Sequence, residues 1–246
     1  MDNTLYIALS RQTALLRQMD VVANNIANVD TTGYRSENML FDKYVVQAEV
    51  DGKKGKTGEL AFTQDIATVT DPSQGTLQVT DRPFDMAIQG KGFFVVQTPL
   101  GERYTRAGNF QLDANGVLTT AQGYPVLDEG RQQIVLENIQ GDVVVGETGG
   151  ITVDGNEVAQ IGVVQFENEQ LLDKVGNSLF KSDVAPAAAD NYRIVHGVVE
   201  KSNVNSVQEM NHMITVSRNV SSVGNIISEV DDLQLNAIRT LAKQSQ

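Results

Sequence analysis

From Leu5 to Ile26, apolar side chains recur in alternating steps of four and three: Leu5, Leu9, Leu16, Met19, Ala23 and Ile26, with only Gln12 interrupting. That heptad spacing predicts a helix with one apolar stripe along its side. The C-terminal segment repeats the pattern through Met213, Val216, Val220, Val223, Ile227, Val230, Ala237 and Leu241, with Gln234 as the polar interruption. Ser206 and Glu209 have the spacing of a capping box and mark its start. A helix from there to Ala242 would be about 55 Å long, against about 35 Å for the N-terminal one.

Between them the period changes to two. Phe84, Met86 and Ile88 alternate with Asp85, Ala87 and Gln89, as in a half-buried strand. Leu77 and Val79 alternate before them, and Ile151 and Val153 much later. Asn115-Gly116 and Asp154-Gly155 supply residues that tolerate positive φ, as tight hairpins require. No helical pattern interrupts this stretch, so it reads as antiparallel β. Residues 49–58 are polar and Gly-rich and read as an exposed loop; residues 182–191 lack periodicity and read as a second connector.

The expected fold is therefore a mainly β core domain with long N- and C-terminal α-helices pairing as a coiled-coil-like terminal domain. Its expected divisions are 1–35 with 203–246 as a helical assembly domain, 36–79 as a connector or extended arm, and 80–202 as a β-rich outer domain. Paired antiparallel, the two helices bury only part of their stripes, because the longer outruns the shorter. The excess calls either for self-association or for a simple helical hairpin capping the β core.

Composition adds exclusions. The 246 residues carry 19 Lys and Arg against 31 Asp and Glu, a formal net charge of −12, with no basic stripe; nucleic acid is not an expected partner. The chain has no Cys, so disulfides and thiolate metal sites are ruled out. The N-terminus lacks a secretory signal pattern, since Asp2, Arg11, Arg17 and Asp20 interrupt it, and no apolar run is long enough to insert into a membrane. His196 and His212 are not spaced as metal ligands, and no nucleophile elbow is present. Gly55-Lys56-Thr57 lacks the first Gly of a phosphate loop, and Val95 stands where a dinucleotide fingerprint needs its third Gly. No catalytic residue, metal site or cofactor is expected.

Residues 23–35 read ANNIANVDTTGYR. This stretch resembles the signature of the rod and hook family of flagellar axial proteins. Asn24 and Asn28 share a helix face, Asn28 and Asp30 suit helix termination, and Gly33 lets the chain turn away; the adjacent Asn24-Asn25 pair is not explained by a plain cap. TDRPFDMAIQGKGFFVV (80–96), YTRAGNFQLDANGVLTTAQGYPVL (104–127) and EKSNVNSVQEMNHMI (200–214) are similar to further motifs of that family, in its order. The opening residues and the length are most similar to its proximal-rod members, with distal-rod or hook relatives as the alternative. A cell-wall hydrolase or carbohydrate-binding β protein is a remote one.

The resemblance implies a non-enzymatic, self-assembling subunit of the basal-body rod, the shaft that crosses the periplasm, transmits torque and surrounds the export channel. It implies other axial proteins as partners, and export by the flagellar type III apparatus without cleavage. The assembly interface it implies lies on the terminal helices: Leu5, Leu9, Leu16, Met19, Ala23, Asn24, Asn25, Ile26 and Asn28 on the first, and Met213, Val216, Val220, Val223, Ile227, Val230 and Leu241 on the second.

Overall fold

The apolar periodicity at both ends is realised as helix. The structure, a computed structural model, describes residues 2–49, 57–136 and 143–244. Helix α1 spans Asp2–Ala27 and α2 spans Ser206–Gln244, and among the described residues every other regular element except one 3₁₀ turn is a strand. The chain divides into two compact units. One holds Met1–Ala27, Glu37–Val69 and Asn205–Gln246; the other holds Asn28–Ser36 and Thr70–Val204.

In the first unit α1 and α2 pack antiparallel. Leu15, Val216 and Val223 form a small buried cluster, flanked by Ala8, Met19, Val220 and Ile227. At the cluster's edge Gln18 meets His212 at 2.9 Å, which gives that histidine a place beside the apolar seam. The start of α2 differs from the capping-box expectation by one residue. Asn205 is the cap, its Oδ1 accepting the N–H groups of Val207 and Gln208 at 3.1 and 3.2 Å. Strands β1 (Glu37–Glu49) and β2 (Thr57–Thr70) pair with each other as a two-stranded sheet. Most of the Gly-rich loop expected at residues 49–58 lies outside the described residues.

The second unit is antiparallel β throughout its described pairings. Strand β3 is Leu77–Val79, β4 is Met86–Gly90, β5 is Phe93–Thr98 and β6 is Gly101–Thr105. A six-stranded sheet runs in the order 173–174, 179–181, β6, β5, 163–165, 187–188. Strand β5 sits inside it and is buried on both faces, as its continuous FFVV run requires. Phe94 and Val96 enter a large cluster with Met86, Ile88, Phe110, Leu118 and Ile134. Phe93 and Val95 enter a second cluster with Tyr104, Phe166 and Phe180, whose rings meet edge to face.

Smaller expectations fare unevenly. Ile151 and Val153 point inward from their strand, and Asp154-Gly155 closes the hairpin that follows, with φ of 52° and 82°. At 115–116 only Gly116 takes positive φ; the turn is organised by Asp113, whose Oδ1 accepts the N–H groups of Asn115 and Val117 at 2.8 Å each. Met86, Ala87 and Ile88 are all buried, so β4 does not alternate, because Ala87 is small enough to be covered on its own face. The stretch 182–191, expected as a connector, contributes Ala187–Ala188 as an edge strand of the main sheet.

Candidate functional site

Two features of this fold are candidates for function, one in each unit. The first is the outer surface of the helical pair. Along α1, two stripes repeat every seven residues and lie about 100° apart on the helix. Ala8, Leu15 and Val22 follow one of them, and Leu15 and Val22 are buried. Leu9, Leu16 and Ala23 follow the other, and they are exposed, Leu9 by 53% and Leu16 by 46%. Periodicity picked out the second stripe together with Met19, which the structure places with the buried cluster. Leu5 and Ile26 are half-buried.

On α2 the expected stripe is the one turned toward α1. Val216 and Val223 are buried, with Met213, Val220, Ile227 and Val230 half-buried. Beyond them Leu233 and Leu235 are exposed, on a helix of 39 residues that continues past its 26-residue partner. The side chain of Leu241 lies outside the described residues.

The asparagines of the signature turn have separate duties. Asn24 is exposed and donates to the Asp20 carbonyl at 3.0 Å. Asn25, only 1% exposed, clamps the backbone of Glu37 from both sides: Nδ2 donates to its carbonyl at 2.9 Å and Oδ1 accepts its N–H at 3.0 Å. This explains the doubled Asn that a helix cap left unexplained. Asn28 closes the turn after α1, accepting the Thr31 N–H and hydroxyl at 3.1 Å each. Replacing Asn25 by Ala removes these two hydrogen bonds to the Glu37 backbone, at a cost of about 1–3 kcal/mol; faster hydrogen exchange at the Glu37 amide, with the β unit unaffected, is the expected readout.

The second feature gathers the motif stretches of the β unit. The chain passes between the units four times, after Ala27, Ser36, Val69 and Val204, and segments next to the last three passages are tied together by Asn203. Its Oδ1 accepts the Ser36 N–H at 2.7 Å, and its Nδ2 lies 3.3, 3.1 and 3.0 Å from the Asp71 carbonyl, the Ser73 carbonyl and the Ser73 hydroxyl. The neighbouring Glu200 carbonyl accepts the Gly33 N–H at 2.8 Å, and its carboxylate accepts the Gly75 N–H at 3.2 Å. Asn203→Ala leaves the Ser36 amide without its acceptor and is expected to lower the unfolding free energy of this unit by about 2–3 kcal/mol, read by denaturant titration of tyrosine fluorescence.

Beneath this knot lie two buried arginines. The guanidinium carbons of Arg35 and Arg106 stand 5.4 and 5.7 Å from the centre of the same Phe93 ring. Arg35 pairs with Glu169 at 2.5 Å, and Arg106 Nε lies 3.4 Å from Glu200, too poorly aligned for a hydrogen bond. Burial, opposed by the Glu200 charge and aided by that of Arg35, lowers the Arg106 pKa to about 10. Arg106 therefore stays charged at neutral pH. Arg35, Arg106, Glu200 and Asn203 all sit in motifs legible in the sequence, but nothing in a single sequence shows that three distant motifs meet.

Among the described residues, no group of three His, Asp or Glu side chains is placed to hold a metal ion, and no described helix is long and apolar enough to cross a membrane. The chain thus carries two terminal helices packed on each other, with a β unit lying between them in sequence. Models of three families match the chain: a flagella basal body rod protein model over residues 5–35, a flagellar hook protein FlgE/F/G D1 domain model over 87–153, and a flagellar basal body rod FlgEFG protein C-terminal model over 195–240. Over 99% of both chains it is 36% identical to the flagellar basal-body rod protein FlgF of Caulobacter vibrioides, and over the full length of both it is 34% identical to FlgF of Mesorhizobium japonicum. The flagellar basal-body rod protein FlgG of Bacillus subtilis is 32% identical over 94% of this chain and 96% of its own. The chain belongs to the flagellar basal-body rod protein family.

Proposed function

We propose that this chain is a structural subunit of the flagellar basal-body rod, at its cell-proximal end, and that it polymerises through its terminal helices with copies of itself and with other rod proteins. The observation that carries this reading is the apolar stripe of Leu9, Leu16 and Ala23, left uncovered by the chain's own α2. Each Leu buried there would stabilise an assembly by about 1.5–3 kcal/mol before ordering costs. Repeated over many subunits, such contacts resist torsion, because sliding one past another exposes apolar surface everywhere at once.

In this reading the helices form the inner tube around the export channel, the β unit faces outward, and the chain is exported by the flagellar type III apparatus without cleavage. It acts as a scaffold, with no catalytic step. The proximal position rests on the higher identity to relatives named FlgF than to those named FlgG. Removing the gene from its host is the test: basal bodies isolated from the deletion strain should lack a complete rod, and cells should not swim. Complete rods and normal swimming would overturn the proposal.

A further inference from the structure

The motif knot of the β unit borders a cavity of about 690 Å³, within the size range of ligand sites, whose wall includes Arg35, Lys91, Arg106, Phe166 and Glu167. The arginines are unusual wall residues, being 3% and 2% exposed. Arg106 Nη2 donates to the Gly90 carbonyl at 2.6 Å, but Nη1 has no partner among the described residues, and neither has Arg35 Nε. A buried guanidinium with an unmet N–H carries a desolvation cost that an acceptor removes. Two guanidinia share one aromatic ring, and each keeps a buried N–H that a carboxylate oxygen would satisfy.

We infer that this cavity is a carboxylate-binding site, and that its occupant is an acidic side chain of an adjoining protein subunit, seated over Arg35 and Arg106. The occupant, though not the site, rests on the rod-subunit reading. Lys91, exposed at the wall, adds a cation that steers the acid inward, while Asp71, Glu167 and Glu169 offset the positive charge of the wall. That balance favours one carboxylate on a peptide over a multiply charged anion such as phosphate. An assembling protein with 31 acidic residues has many carboxylates to offer at its contacts.

The site is read on the full-length unassembled protein. Its arginine Nε–H resonances are followed by NMR during titration with sodium acetate, and with sodium chloride at matched ionic strength. Saturable acetate shifts at Arg35 and Arg106, lost in Arg106→Lys, are expected; no shift, or equal shifts with chloride, would overturn the site. If Arg106→Lys does not fold, the wild-type contrast between the two salts decides alone.

The occupant is read by carbodiimide coupling in assembled protein, which should join Lys91 to an Asp or Glu of another subunit and should fail in Lys91→Arg. Acetate binding with no Lys91 cross-link in assembled protein would overturn the occupant and leave the site. Failure of the chain to assemble at all would sink the rod reading and the occupant together, with the acetate titration still deciding the site.

Discussion

Val223→Asp is expected to abolish assembly while leaving the β unit folded. Val223 is buried between the two helices, in one cluster with Leu15 and Val216. No described basic group belongs to that cluster to pair with a carboxylate. An ionised Asp there must protonate, or drive the helices apart to reach water. Adding the lost apolar burial, the penalty is about 3–5 kcal/mol, large against a cluster of three buried side chains. The clusters of the β unit share no residue with it. Circular dichroism should therefore show a loss of helix with the β signal kept, and sedimentation should show monomer only. Helix content and assembly at wild-type levels would contradict the helix pairing described above.

Gly33→Ala is expected to be as damaging, but in the other unit. Gly33 adopts φ of 65°, and a Cβ on it would lie 2.2 Å from the Ala107 nitrogen and 2.5 Å from the Arg106 carbonyl carbon. Those are backbone atoms, anchored by Arg106 through Phe93 and Gly90, so they cannot step aside cheaply. The turn must leave its seat, breaking the Gly33–Glu200 hydrogen bond and uncovering Arg35 and Arg106. A loss above about 4 kcal/mol follows from the clash, the left-handed backbone and the stranded charges together. Thermal melting of the β signal should fall steeply. Gly224→Ala is the matched control: it lies in α2, where an added Cβ meets nothing within 4 Å, and should stabilise the helix by up to about 1 kcal/mol. A Gly33→Ala protein that melts like wild type would refute the proposed packing of the signature turn.

Much of the fold was legible because local patterns decide local structure. Both helices followed from apolar steps of four and three, and the strand at 151–153 from its alternation. What periodicity could not decide was which stripe faces which partner. Leu9 and Leu16 satisfy the heptad on α1 as well as Ala8 and Leu15 do, and only the position of α2 shows that the second pair is used within the chain. The site in the β unit was less legible still. Arg35, Arg106 and Glu200 are charged residues in the interior, where a single sequence gives no sign of burial, and their meeting depends on contacts between segments far apart in the chain, such as Arg106 with Glu200 and Arg35 with Glu169. Asn203 was legible only as part of a family motif at 200–214, whereas its amide ties segments that adjoin three passages of the chain. In the helical unit the doubled Asn24-Asn25 was a local clue, since a plain cap does not account for it and Asn25 bonds the Glu37 backbone.

The outward stripe of α1 is the surface on which the proposed function depends, and sedimentation of Leu9→Asp with Leu16→Asp beside wild type addresses it without disturbing the helix pair. Both side chains are exposed in the single chain, so the substitutions should cost the monomer less than about 1 kcal/mol and leave its helix content unchanged. The expected result is a folded monomer that fails to assemble under conditions where wild type does. Assembly of the double variant at the wild-type level would contradict a role for this stripe between subunits.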